Sequence, residues 1–427
     1  MGFQQGLSGL NASSRNLEVI GNNVANANTY GAKTARAEFA DMYANSMSGA
    51  GAQQAGIGVR VAAVAQQFTQ GNISTTSNPL DLAINGNGFF IVANGEQDVY
   101  TRNGQFKIDR EGYIVNNEGH RLQAYALDAD GNPVGGDPGD VQLPTGGVAP
   151  QQTGTISMEA TLDSRAGVRP ATPLTSGDPI DFSDASTYNN ATSQTVYDAK
   201  GQPVTLTYYF QKTGADQWDV YVTANGENVP SGATPAAIAS LTFPSTGGNP
   251  SDINGGGANN VFTLPTIPAV TLSTGGDSEP ISGIQIDLRS ITQYGSAFGV
   301  TDLTQNGYAP GQLTGVSIDA SGVMLARYSN GQTRPAAQIA IANFTNVQGL
   351  QPLGGNEWTM TYTSGDPIVG VPGTGNFGVL QAGALEESNV DLTGELVNMI
   401  VAQRAYQANA QTIKTEDQVM QTLVNLR

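Results

Sequence analysis

The chain has 427 residues, with 18 Lys+Arg against 36 Asp+Glu and a formal net charge of −18. That acidic balance excludes nucleic acid and anionic membranes as main partners, because both require a basic face. With no Cys and one His, disulfides, thiolate metal sites, Cys nucleophiles and multi-His metal centres within one chain are excluded, and a Ser/His/Asp triad would have to use His120.

No run approaches about 18 consecutive apolar residues, so no membrane insertion is expected. The start MGFQQGLSGLNASSRN has neither the basic nor the apolar region of a secretory signal. Length alone suggests about three domains. Residues 1–40 carry a net +1 and residues 391–427 a net −1, which leaves the whole −18 between 41 and 390. A like-charged middle repels itself and stays solvated, whereas near-neutral ends can approach one another and their copies.

At the N-terminus, Phe3, Leu7, Leu10, Ser14, Leu17, Gly21 and Val24 recur at alternating spacings of about three and four, and Ile20 widens the stripe. The pattern predicts an amphipathic helix of about 22 residues, ended by the Asn-rich run Gly21–Tyr30. Gly6, Gly9 and Gly21 weaken that helix by about 1 kcal/mol each relative to Ala, so its stripe needs a partner.

From about 78 to 126 the signals are β. Phe89–Ala93 is an apolar run followed by Asn94-Gly95, and Asn103-Gly104 predicts a hairpin joining Val99–Arg102 to Gln105–Asp109. Tyr113–Val115 and Leu122–Leu127 continue the meander through turns at Glu111-Gly112 and Glu118-Gly119. A similar unit returns late, since Phe106–Ile114 has its echo in Val316–Met324. The echo predicts one β-domain built from both halves of the chain, with the segment between inserted.

Asp128 to Gly154 is a Gly/Pro/Asp-rich linker. Strand-like runs follow at Ser193–Asp198, Val204–Phe210, Trp218–Thr223, Leu241–Phe243, Val261–Leu264 and Ile284–Leu288, separated by loops such as GGNPSDINGGGANN. They predict a second all-β domain, a small sandwich or barrel. At the C-terminus, positions 392 to 424 alternate spacings of four and three, and Leu392, Leu396, Met399, Tyr406, Ile413, Met420 and Val424 fall on the resulting seam. A repeat averaging about 3.5 residues keeps one helix face against a partner helix. Asp391 or Ser388 can cap its start.

Catalytic signals are weak. Gly373–Gly378 fits G-x-G-x-x-G, but Pro367 and Pro372 break the strand it would need and the nearest helix begins near Asp391. Asp128–Asn132 opens like a calcium loop but lacks the closing Glu and reads as a turn. His120 falls at a turn, where an exposed side chain is expected. Glu386-Glu387 could serve a glycosidase only if held in a cleft.

Two segments carry a resemblance. Asn22–Lys33 (NNVANANTYGAK) is similar to the N-terminal signature of bacterial flagellar rod and hook proteins. Ala384–Asp391 (ALEESNVD), with Glu395–Ile400 and Gln403–Tyr406, resembles the same family's C-terminal signature, and Tyr294–Gly354 adds NGYAPG at Asn306–Gly311. The likeness is strongest to the hook branch, whose outer domain carries a segment like Thr195–Leu206. The distal-rod relative is expected to lack that inserted domain.

The resemblance implies a mainly β protein with α-helical termini paired as a coiled coil and two all-β domains, the outer inserted in the inner. The expected organisation is a terminal helical domain (1–30 and 390–427), extended connecting segments (31–77 and 365–389), an inner β-domain (78–154 and 289–364) and an inserted outer β-domain (155–288). It implies a self-assembling tube, a flexible universal joint carrying torque from rod to filament, with no catalysis, cofactor or metal. Copies of the chain would pack through Leu7, Leu10, Leu17, Ile20, Val24, Leu392, Leu396, Met399, Tyr406, Ile413, Met420 and Val424. Further implied partners are the distal rod protein, the hook cap protein, the hook–filament junction protein and the flagellar type III export apparatus. The implied location is extracellular, in the flagellum, reached without a cleaved signal peptide. The alternatives are a flagellar distal rod protein within the class and, from another class, a secreted β-rich adhesin with a helical stalk.

Overall fold

In the computed structural model, residues 2–42, 58–95, 97–128, 131–144, 146–170, 179–232, 234–254, 261–272 and 275–425 are described. The middle of the expected 31–77 segment (43–57), part of the Asp128–Asn132 turn (129–130) and the GGGANN stretch (255–260) lie outside them. The protein is mostly β, with a helix at each end: α1 (Gly2–Ala25) and α2 (Leu392–Asn425).

The chain forms two compact units. Unit 1 comprises 1–145, 314–327 and 333–427, and unit 2 comprises 146–313 with 328–332. The border of unit 2 lies at Leu313, not at the expected 288. The reason is pairing: Gly299–Gln305 runs antiparallel to Thr155–Asp163, and Thr292–Tyr294 pairs parallel with that same strand.

In unit 1, strands from both ends of the sequence share one sheet. Arg121–Leu127 lies between Phe89–Asn94 and Thr333–Ile339, with Ala124 opposite Ile339 and Val92 opposite Leu122. Phe89–Asn94 reads as a continuous apolar run because both of its faces are covered. Phe90 and Val92 join a core with Leu82, Leu122, Ile339 and Ile341, while Phe89 and Ile91 join a second with Tyr100, Phe344 and Trp358.

The hairpin that starts from this run is closed by Asn94-Gly95, with Asn94 opposite Gln97. Asn103-Gly104, predicted to make the next hairpin, makes none. Gly104 O instead accepts from Leu82 N, and Asn103 Oδ1 accepts from Gln105 N, which turns the chain across the neighbouring segment.

Among the described residues one turn occurs five times. Asp109, Asn116, Asp128, Asp198 and Asp319 each accept at Oδ1 from the backbone N–H four residues on, at 2.8–2.9 Å. The third residue after each is a glycine with φ between 78° and 89°. Only glycine takes that conformation without steric cost, so Asx-x-x-Gly fixes these turns locally. The echo between Phe106–Ile114 and Val316–Met324 is this turn used twice.

The segments expected as connectors are strand pairs. β1 (Ala35–Met42) and β2 (Gly58–Gln66) form an antiparallel ribbon that packs on α1. Ile73–Thr75 pairs with Ala384–Glu386, and Leu82–Asn85 pairs with Val379–Ala382, so the incoming and outgoing chain zip together.

Unit 2 is a sandwich. A six-stranded sheet centred on Pro203–Gly214 and Gln217–Ala224 and a five-stranded sheet centred on Thr155–Asp163 share one core. Thr155–Asp163 alternates, with Ile156, Met158, Ala160 and Leu162 buried and the residues between them outward. Trp218 fills the centre. Its Nε1 donates to Gln293 Oε1 at 2.8 Å, and Gln293 Nε2 donates to Asp216 Oδ1 at 2.6 Å.

Trp218→Ala removes the largest buried side chain of this core and is expected to cost about 3–5 kcal/mol. Differential scanning calorimetry should then show the unit 2 transition lowered by about 10 °C or more, with the unit 1 transition unmoved.

Candidate assembly interface

The two helices meet through small residues. A Cβ built on Gly6 would lie 3.0 Å from Ile413 Cγ1, and one on Gly9 would lie 2.8 Å from Asn409 Oδ1. Glycine therefore lets the helices approach more closely than any side chain would allow. Asn409 also reaches Ser13 Oγ, and further along Ile20 and Ala402 are buried.

The contact line is thus Gly6, Gly9, Ser13 and Ile20 against Ala402, Asn409 and Ile413. It shares Ile20 and Ile413 with the apolar stripes read from the sequence and elsewhere runs one residue off them. Of the expected packing residues, Ile20 is buried, while Leu10, Leu17, Val24, Met399 and Ile413 are half-buried. Leu7, Leu392, Leu396, Tyr406, Met420 and Val424 are exposed. They have company, since Phe3, Val397, Ile400, Val401 and Val419 are also exposed, and Val424 reaches 72%. The G-x-x-G spacing at Gly6 and Gly9 was the signal for the close approach, although by propensity alone those glycines only weaken a helix.

Both chain ends are tied to the β scaffold by a buried ion cluster. Glu386 Oε1 accepts from Lys33 Nζ at 2.6 Å and from Gly71 N at 2.9 Å, and Oε2 accepts from Arg102 Nη1 at 3.1 Å. The Lys33 and Glu386 side chains are fully buried and Arg102 is nearly so. Lys33 also donates to Thr69 O, and Arg102 Nη2 donates to Gly86 O. Burial pushes the Lys33 and Arg102 pKa values down, against the opposing pull of Glu386.

Side-chain amides complete the junction. Asn23 clamps Ala35 through both its N–H and its C=O. Asn389 Oδ1 accepts from Thr34 N and Oγ1, while its Nδ2 donates to Gln67 O and Thr69 O. Asp391 caps α2, its Oδ1 accepting from Thr393 N at 3.1 Å. The residues that make both terminal signatures recognisable are therefore those that fasten the termini.

The weak chemical candidates resolve into structure. Glu386 belongs to the ion cluster. Gly373–Gly378 is a loop closed by Gly373 N donating to Gly378 O, with no helix opening at its last glycine. His120 is not simply exposed: Nδ1 lies 2.8 Å from Glu357 Oε1, which also accepts from Asn116 Nδ2.

Helical chain ends fastened to a β scaffold, with large apolar residues facing outward, fit the axial subunit of the flagellar rod and hook class that the two terminal signatures resemble. Family models agree along the chain. Residues 3–33 match the flagella basal body rod protein model, and 83–160 the flagellar hook protein FlgE/F/G D1 domain. Residues 161–308 match the flagellar basal body protein FlaE D2 domain, and 381–426 the flagellar basal body rod FlgEFG protein C-terminal model.

The flagellar hook protein FlgE of Escherichia coli is 42% identical over 433 residues, spanning all of both chains, and that of Salmonella typhimurium is 42% identical over 432. The FlgE of Borreliella burgdorferi is 32% identical across 99% of this chain and 98% of its own. The crystal structure of Helicobacter pylori flagellar hook protein FlgE2 aligns with a TM-score of 0.51 and 15% identity, over 73% of this chain and all of that one, a likeness of fold. The chain belongs to the flagellar hook protein FlgE family.

Glu386→Gln leaves two buried cations without their anion and is expected to cost about 3–5 kcal/mol in urea unfolding of unit 1. The triple variant Lys33→Met, Arg102→Met, Glu386→Leu should lose less, because no buried charge is left unpaired.

Proposed function

We infer that the protein is the structural subunit of the bacterial flagellar hook, assembling with its own copies into a curved, flexible tube that transmits torque from rod to filament. The single observation that carries this is the apolar surface left on the helix pair. Leu392, Leu396, Val397, Ile400 and Val401 stand 44–61% exposed on one stretch of α2. Fully burying one such side chain is worth about 1.5–3 kcal/mol, so neighbouring copies gain by covering them.

In this reading the terminal helices pair in coiled-coil fashion along the tube wall, and the apolar stripe contacts other subunits while the glycine-lined seam holds the two helices of one subunit. The identity to hook proteins across the whole chain and the domain match at 161–308 favour the hook over the rod. The domain organisation follows as terminal helices, the strand pairs beside them, an inner β-domain and an outer β-domain carried as an insertion. The distal rod protein, the cap protein and the hook–filament junction protein are the neighbours such a tube requires at its ends. Delivery through the flagellar type III export apparatus, without a cleaved signal, is the matching route outward.

Leu396→Asp and Met420→Asp each put a carboxylate on the exposed stripe. The subunit should keep its melting behaviour while losing tubes in negative-stain micrographs, since burying an unpaired carboxylate costs several kcal/mol. Normal tubes from both variants would contradict this reading.

A further inference from the structure

A groove of about 340 Å³ opens between α1, α2 and β1, with Ser13, Asn16, Asn23, Arg36, Asn398 and Glu395 along its polar walls. Glu395 is half-buried on this wall, and its Oε2, itself buried, has no hydrogen-bond partner. A buried carboxylate oxygen without a donor is costly, and such groups are normally satisfied in the functional state. The cation beside it in the same chain is engaged: Arg36 Nη2 donates to Glu38 Oε1 at 2.7 Å.

Arg404 carries the complementary charge. It is exposed and makes no salt bridge among the described residues. It follows Glu395 by nine residues of α2, which is about 2.5 turns and about 13.5 Å along the axis. Half a turn beyond two whole turns puts the two side chains on opposite faces of the helix, so they cannot pair within one copy.

We propose that this groove is a socket for the guanidinium of Arg404 from a neighbouring copy, which pairs there with Glu395. The proposal rests on the assembly reading above and specifies a contact within it. Socket and plug on opposite faces make the contact heterologous, the kind that propagates into a polymer instead of closing a dimer. A guanidinium suits the site because it offers several donors, enough to reach the carboxylate and the amide oxygens of Asn16 and Asn398 together.

The test is polymerisation of the purified full chain, read by sedimentation and electron microscopy, with circular dichroism on each monomer. Wild type should form tubes. E395Q, which keeps the side-chain shape, should raise the critical concentration by about tenfold or more, and R36Q should leave it unchanged. E395R and R404E should each fail alone, yet an equimolar mixture should form tubes, because each then supplies the other's missing charge. Tubes from E395Q at the wild-type concentration would overturn the pair, as would a mixture that stays soluble. An R36Q defect equal to that of E395Q would give Glu395 a partner in its own chain, and rescue of E395R by K414E in place of R404E would make Lys414 the plug. Wild type that forms no tubes would overturn the assembly reading, and the socket with it.

Discussion

One buried carboxylate holds the two ends of the chain together. Glu386 is shared by Lys33, 353 residues away in sequence, and Arg102, 284 residues away. Closing loops of that length has an entropic cost that grows only slowly with length, so a few strong, directional contacts can fix where the ends meet. Three charges out of water are not a cheap source of stability, because desolvation offsets much of their attraction. They do impose one arrangement, since any other leaves a charge buried and alone. Through Asn23, Asn389 and the cap at Asp391, the same junction sets where α1 ends and α2 begins.

With the helix origins fixed there, the faces of the helices divide their work. Gly6 and Gly9 accept Ile413 and Asn409 at close range, and Ser13 meets Asn409, which uses little apolar area. The large side chains of α2 remain outside. A lone helix pair arranged for its own stability would put Leu396, Ile400 and Met420 between the helices. This one keeps them outward, where the proposed assembly would cover them.

Much of this is legible in the sequence. The spacings of three and four predict both helices, and Glu111-Gly112 and Glu118-Gly119 predict two of the turns, because a glycine with positive φ is a local demand that sequence states directly. The apolar run at Phe89–Ala93 predicts a strand, and the structure covers both of its faces. The predicted stripes and the helix contact share Ile20 and Ile413, while Gly6, Gly9 and Ser13 fall one position away because hydrophobicity does not mark the small residues that let two helices approach. Asn103-Gly104 failed as a hairpin because a tertiary contact with Leu82 captured the corner. The ion cluster was hidden because nothing local to Lys33, Arg102 or Glu386 announces a partner hundreds of residues away, although two of the three stand inside the terminal signatures. His120 was read as exposed for the same reason, its partner Glu357 being distant in sequence.

The most direct test uses the absence of native cysteine. Single cysteines at Val397, Ile400 and Met420 can be labelled with a maleimide in the monomer and in assembled tubes, beside a cysteine in an exposed turn of unit 2 as reference. If the outward stripe is the interface between copies, the three helical positions react readily in the monomer and become protected in the tube, while the reference changes little. Helical positions that label as fast in tubes as in monomers would contradict the division of helix faces on which the account depends.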